Sequence, residues 1–209
     1  MTVLLAKMAS TYTYDTLDEI SIQSIVKLPI TAREMWSHDD FALTYGKIKA
    51  FLLAEQKRIC FYCQKQLVDI TNEDWHIDHV LPIDEDPRHV FTSFNYVLSC
   101  KWCNRIKGAK PTMKSFPKTK KYSKNTLNYR IVHPRYDDYS LHIEILGGRF
   151  YFGSSDKGQY TKYICNLDRF ALNQLVNLKA SDRKFVDAAL KFLLGDNPRE
   201  LLDFIDLII

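Results

Sequence analysis

The chain has 209 residues, 46% of them hydrophobic and 26% charged, with a formal net charge of +4. These are the proportions of an ordinary soluble globular protein with one good core. No apolar run can cross a bilayer, and the Val3–Ala6 run, broken by Lys7, is too short for a signal-peptide core, so a cytoplasmic protein with no membrane partner is expected.

The charge is unevenly placed. Between Pro87 and Tyr136 there are twelve Lys and Arg and no Asp or Glu, so the rest of the chain carries −8, 17 basic minus 25 acidic residues. Such a tract is either a solvated lysine-rich loop or the footprint of a polyanion, and nucleic acid is the expected polyanion.

In chain order, residues 1–36 suggest a strand or a short amphipathic piece through Tyr12, Tyr14, Ile20, Ile22 and Ile25. From Ser37, where Ser37 or Asp39 can cap, Phe41, Tyr45, Ile48, Phe51 and Leu52 predict a helix to about Lys57. Short strands are expected over 66–70 and 75–80, with a turn at 71–74. Pro82 ends the second strand, a loop spans 81–94, and another strand covers 96–99. Lys101 to Ile106 reads as helix, stopped by Gly108 and Pro111. The stretch after Pro111 is basic, irregular and too polar for core, with order resuming near Tyr139. Alternation at Leu141, Ile143 and Ile145, followed by Gly147-Gly148, predicts a hairpin. From about Tyr160 the chain reads as helical, with apolar stripes at 185–193 and 201–209.

Four of the five cysteines form two C-x2-C pairs, Cys60/Cys63 and Cys100/Cys103, separated by thirty-six residues. Each such turn can aim two thiolates at one ion, and four thiolates fill a tetrahedron, so the site is read as structural zinc. Cys165 reads as a buried small hydrophobe. Between the pairs lie Asp78-His79. A carboxylate suits a hard Mg2+-like cation and a neutral imidazole suits a general base. Strand alternation would send these neighbours to opposite faces unless the strand bends. Asn104, at the start of the helix after Cys103, offers an amide oxygen as a second metal ligand. Asn95 could hold the His79 ring in the tautomer a base needs. Lys107 could face a phosphate, as could Lys101, Arg105 and Lys110 nearby. His76 is either a hydrogen-bonded strand residue or an additional ligand. His89, beside Arg88, reads as a surface residue.

Taken together, Cys-x2-Cys, Ile77-Asp78-His79-Val80-x-Pro82, Asn95 and Cys-x2-Cys-Asn104-x2-Lys107-Gly108 resemble the HNH endonuclease family. The likeness covers about a quarter of the chain, Cys60 to Gly108. It implies a ββα-metal core stapled by a four-cysteine zinc site; with the flanking helices and the C-terminal hairpin and helices read above, the expected fold class is α+β. It also implies that Asp78 and Asn104 bind one catalytic Mg2+ or Mn2+, that His79 activates water, that Asn95 orients His79, and that Cys60, Cys63, Cys100 and Cys103 hold Zn2+. The last motif position is Asn where many members have His. Asp84-Glu85-Asp86 stands where glycines are common.

The organisation expected is an N-terminal segment (1–36), a nuclease module with its supporting helix (37–112), a basic connector (113–138), and a hairpin with helices (139–209). A more diffuse likeness, through Ile131-Val132-His133-Pro134, Asp137-Asp138, Leu141-His142-Ile143-Glu144 and Asn166-Leu167-Asp168-Arg169, is to PtuB-type HNH subunits of Septu and retron antiphage systems. That implies an ABC-like, PtuA-type ATPase partner and leaves His133 and His142 as structural or partner-facing residues. The resulting expectation is phosphodiester hydrolysis, with DNA favoured over RNA. The alternatives are a non-enzymatic zinc module that binds nucleic acid, or a subunit that only binds the ATPase.

Overall fold

A computed structural model describes residues 4–66, 74–117 and 121–171. Residues 67–70 of the strand expected over 66–70, residues 71–73 of the turn expected over 71–74, and both C-terminal apolar stripes lie outside the described residues. The α+β fold class holds: small antiparallel sheets alternate with helices.

The N-terminal stretch forms helices rather than a strand. Helix α1 (Thr16–Ile25) opens with a capping box in which Asp15 and Asp18 satisfy each other's backbone N–H. The apolar residues at 20, 22 and 25 therefore fall on a helix, and the cap outweighs their β propensity. Helix α2 (Ala32–Trp36) is capped in the same way by Thr31 and Glu34. Ahead of them residues 4–15 run extended along the core: Leu5 N–H donates to Gln64 Oε1 at 2.7 Å, Met8 N–H to the Pro134 carbonyl at 2.8 Å, and the Ala6 carbonyl accepts from Tyr139 N–H at 2.8 Å.

Helix α3 (Ala42–Glu55) follows a 3-10 turn at Asp39–Phe41, so it starts later than the sequence implied and has no side-chain cap of its own. Asp18 ties α1 to α3. Its buried carboxylate accepts from Thr44 Oγ1 at 2.8 Å, Lys47 Nζ at 2.9 Å and Tyr12 OH at 2.7 Å. Burial pushes this carboxyl up, but the bonds from Tyr12, Lys47 and Thr44 outweigh it and hold it at about 2. A depressed carboxylate stabilises the fold fully above its unfolded value of about 4 and loses that contribution as pH falls through the folded value. Acid titration of thermal stability should therefore show a loss of about 1–2 kcal/mol between roughly pH 4 and pH 2. The loss should be absent in Asp18→Asn, and identical acid limbs for the two proteins would contradict it.

Strands β1 (Trp75–His79) and β2 (Tyr96–Cys100) pair antiparallel, with Asp78 opposite Val97 and Trp75 opposite Cys100. Helix α4 (Lys101–Lys107) leaves β2 directly and packs on both strands. This is the strand, loop, strand, helix order expected from the motif. Helix α3 also contacts both strands. Downstream, the tract read as too polar for core is partly core. Met113 bridges to Tyr129, and Tyr129, Ile131, Val132 and His133 are buried. The lysines cluster at 114–124 and the buried residues mostly at 129–133, so polarity taken over the whole tract concealed the apolar positions.

Strands β3 (Ile143–Leu146) and β4 (Phe150–Gly153) form the predicted hairpin. Gly147 and Gly148 both have positive φ, 54° and 68°, as a type I′ turn requires. Helix α5 (Asp156–Ile164) begins before Tyr160 because Ser155 caps it.

Candidate metal and nuclease site

The four cysteines are buried and unoxidised, and their Sγ atoms all lie within 4.8 Å of one another. A tetrahedral zinc–tetrathiolate site with bonds near 2.3 Å has S···S edges of roughly 3.8 Å, so the cluster fits that ion with small adjustment and leaves no open position. The knuckle at 60–63 is held from several sides. Gln56 donates to the Ile59 and Leu98 carbonyls at 3.0 and 2.9 Å and accepts from Leu98 N–H at 2.7 Å. Tyr139 OH donates to the Tyr62 carbonyl at 2.8 Å, and Tyr151 OH to the Cys63 carbonyl at 2.7 Å. Cys100 Sγ caps α4, and Arg169 donates to Cys103 Sγ at 3.0 Å. Cys165 stands apart from the cluster, fully buried, and burial pushes its thiol up to about 12, which keeps it unreactive.

Alternation along β1 sends His76 and Asp78 toward α4. Asn104 Nδ2 donates to His76 Nδ1 at 2.9 Å, so His76 is a hydrogen-bonded strand residue beside Asn104. Asp78 accepts from Lys107 Nζ at 3.1 Å and from Tyr62 OH at 2.6 Å. Burial pushes its carboxyl above the ordinary value, against the pull of Lys107 and Tyr62. Lys107 is 0% exposed and also donates to the His79 carbonyl at 2.7 Å. This corrects the expectation that Lys107 faces a phosphate. Lys107 lies four residues after the buried Cys103, hence on the same buried face of α4, and its spacing from Asn104 alone misdirected the reading.

Replacing Lys107 with Met keeps the length of the side chain but strands a buried carboxylate. The expected cost is about 3 kcal/mol in urea denaturation. Part of it should be recovered by Mg2+, with a larger gain in the variant than in the wild type, since a cation at Asp78 can replace the lost ammonium. A variant as stable as wild type in magnesium-free buffer would contradict the pairing.

His79 points to the other side of β1. Its Nε2 lies 2.9 Å from the Val90 carbonyl, which can only accept, so Nε2 carries the proton and Nδ1 keeps its lone pair. The ring sits edge-on to Trp36 at 4.4 Å and Tyr96 at 5.3 Å. Burial pushes the imidazole down to about 4, so it is neutral near pH 7.

Asn95 does not touch that ring. Its amide donates to the Leu81 and His89 carbonyls at 2.9 and 3.2 Å and accepts from Leu81 N–H at 2.7 Å, closing the loop whose Val90 carbonyl holds His79. Asn95 thus acts on the loop instead of on the imidazole. His89, expected at the surface, is buried, with Nδ1 3.2 Å from Thr92 Oγ1 and Nε2 3.7 Å from Asp86.

Lys101 and Arg105 are exposed on the outer face of α4, and Trp102 beside them is 62% exposed. Lys110 is exposed too, but its Nζ bonds the Ile106 and Ile164 carbonyls. The residues missed from sequence are Tyr62, Trp36, Val90 and Arg169. Only Tyr62 carried a local signal, its place inside the first cysteine turn. The others meet the site through the fold alone.

Comparison with known proteins agrees with this geometry. Residues 60–110 match the family model for HNH endonucleases. The chain is also similar to the Septu protein PtuB of Bacillus thuringiensis, 31% identical over 136 residues. The match covers 64% of this chain and 45% of that protein, so the chain spans less than half of its relative. No solved structure matches the chain. Residues 60–110 thus match the HNH endonuclease domain and carry a four-cysteine cluster that could hold zinc, in a chain similar to PtuB.

Proposed function

We propose that the chain is a metal-dependent endonuclease that hydrolyses phosphodiester bonds, with DNA the favoured substrate, and that it is the nuclease subunit of an antiphage complex with an ABC-like ATPase. The observation that carries the reading is that Asp78 and His79 are consecutive on β1 and Asn104 lies on the helix packed against that strand. A carboxylate lies on the α4-facing side of β1, and an amide on α4 is bonded to its neighbour His76. An imidazole of defined tautomer sits at the end of the same strand. The donor chemistry of Asp78 and Asn104 suits a hard divalent cation, and Lys107 already marks Asp78 as a cation's partner. When bound, Mg2+ or Mn2+ would neutralise charge on the phosphate and the departing 3′ oxygen.

The protein residues would do the rest. His79 Nδ1 would take the proton from the attacking water, leaving a 5′ phosphate. Lys101 and Arg105, on the open face of α4, would hold flanking phosphates. One such site cuts one strand per encounter. The likeness to PtuB supports the defence role and the ATPase partner.

The test is cleavage of supercoiled plasmid and of total RNA by the purified chain, with and without Mg2+, wild type beside Asn104→Ala, each repeated with the ATPase added. Mg2+-dependent nicking that is lost in the variant is the expected result. Cutting that ignores both Mg2+ and Asn104 would overturn the assignment. Cutting that appears only with the ATPase would assign activation of the nuclease to that partner.

A further inference from the structure

The Ile131-Val132-His133-Pro134 segment lies outside the matched domain, and nothing above gives it a task. Yet His133 is fully buried, and its ring heads a chain of hydrogen bonds through Tyr122 and Asn95 to the His89 carbonyl, one residue before the Val90 carbonyl that holds His79. His133 Nδ1 accepts from Arg135 N–H at 3.2 Å, so the ring proton is on Nε2, 2.9 Å from Tyr122 OH. The Tyr122 oxygen must accept that proton. Its own hydroxyl is then left to donate to Asn95 Oδ1 at 3.1 Å. Asn95 Oδ1 thus receives two donors, Leu81 N–H and Tyr122 OH, while Nδ2 serves two carbonyls, Leu81 and His89. Flipping the amide would set its NH2 against Leu81 N–H, so the network admits one orientation.

The carbonyl next along the chain is that of Val90, which accepts from His79 Nε2 at 2.9 Å and from Tyr96 OH at 2.9 Å. We propose that Tyr122 and His133 are positioning residues for the general base, fixing the Asn95 amide and, through the 81–90 loop, the Val90 carbonyl that sets the His79 tautomer. The inference rests on the reading of His79 as the base and extends it beyond the HNH domain. It also explains why a histidine with no solvent contact lies so far along the chain: a polar side chain is needed there to accept from Arg135 and donate to Tyr122 at once.

Tyr122→Phe removes one hydroxyl and keeps the ring. Two readouts are compared with wild type: kcat and KM for plasmid cleavage, and the imidazole 1H–15N spectrum, with the His79 signals identified by their absence in His79→Ala. The expected result is a kcat lower by about 10-fold, within the range for lost outer-sphere partners, with KM within about twofold. Zinc content should be unchanged, and His79 should pass from one Nε2–H tautomer to a mixture. His133→Gln can still donate to Tyr122 and is expected to restore the single tautomer that His133→Leu loses. Wild-type kcat with an unchanged spectrum in Tyr122→Phe would overturn the proposal. The spectrum needs no substrate, so it decides the matter even for a preparation that does not cut. Full activity in His79→Ala alongside a mixed tautomer in Tyr122→Phe would instead reject the general base and leave the hydrogen-bond chain standing.

Discussion

Stripping zinc from the chain is expected to dismantle the HNH domain, not merely slow it. The ion would join the knuckle at Cys60 and Cys63 to the β2–α4 junction at Cys100 and Cys103, which brackets both strands of the sheet. Structural zinc contributes about 10–16 kcal/mol in isolated zinc-finger peptides. Here Phe61, Tyr62, Val97 and Leu98 are also buried around the knuckle and would retain part of the order without metal. A loss of roughly 5 kcal/mol remains a large share of ordinary domain stability, and it corresponds to about 10–20 °C in melting temperature for a chain of this size. Thermal melts of the zinc-loaded protein, of protein stripped by a zinc-selective chelator, and of Cys100→Ser would measure it. A stripped protein melting within a few degrees of the loaded one would show that the thiolates do not carry the fold.

The second large effect is on catalysis. His79→Ala is expected to lower metal-dependent cleavage by about a hundred- to ten-thousand-fold, the range for loss of a general base. The fold should tolerate the change. The Val90 carbonyl keeps its bond from Tyr96 OH, and the vacated space lies beside Trp36, which is itself only half-buried. A stability loss of about 1–2 kcal/mol is expected from the missing ring and hydrogen bond. The two quantities separate the roles. Strong loss of cleavage with a nearly normal melt and normal zinc content identifies a chemical role. Cleavage within a few-fold of wild type would remove His79 from the mechanism, whatever its place in the structure.

Much of the domain was legible locally. Each C-x2-C pair is a turn that needs no distant partner to form, and the strand, loop, strand, helix order follows from short-range alternation and the stops at Pro82 and Gly108. Along β1, Asp78 and His79 take separate partners, Lys107 and Tyr62 for the one and the Val90 carbonyl for the other. Where a longer-range partner decides the outcome, the residues misled. Lys107 reads as a surface cation by type, yet it is the internal counter-charge of Asp78. Asn95 reads as a partner of the His79 ring by spacing, yet it closes the loop instead. The segment ahead of α1 contains residues that favour strands, and its actual course is set by hydrogen bonds to residues 50 or more positions away, such as Gln64 and Pro134.

The sequence by itself determined the chemistry available: four of five thiols in two C-x2-C pairs, the Asp78-His79 step, Asn95 and Asn104 near it, and a basic tract free of acids. Those are properties of residue type and close spacing, which the chain carries whatever its conformation. Only the tertiary structure decided which cation neutralises Asp78, which carbonyl fixes the proton on His79, and that a buried histidine in a distant segment is wired to Asn95. Each depends on burial, where an unpaired polar group is costly and the partner that satisfies it is chosen by proximity in space instead of by distance along the chain.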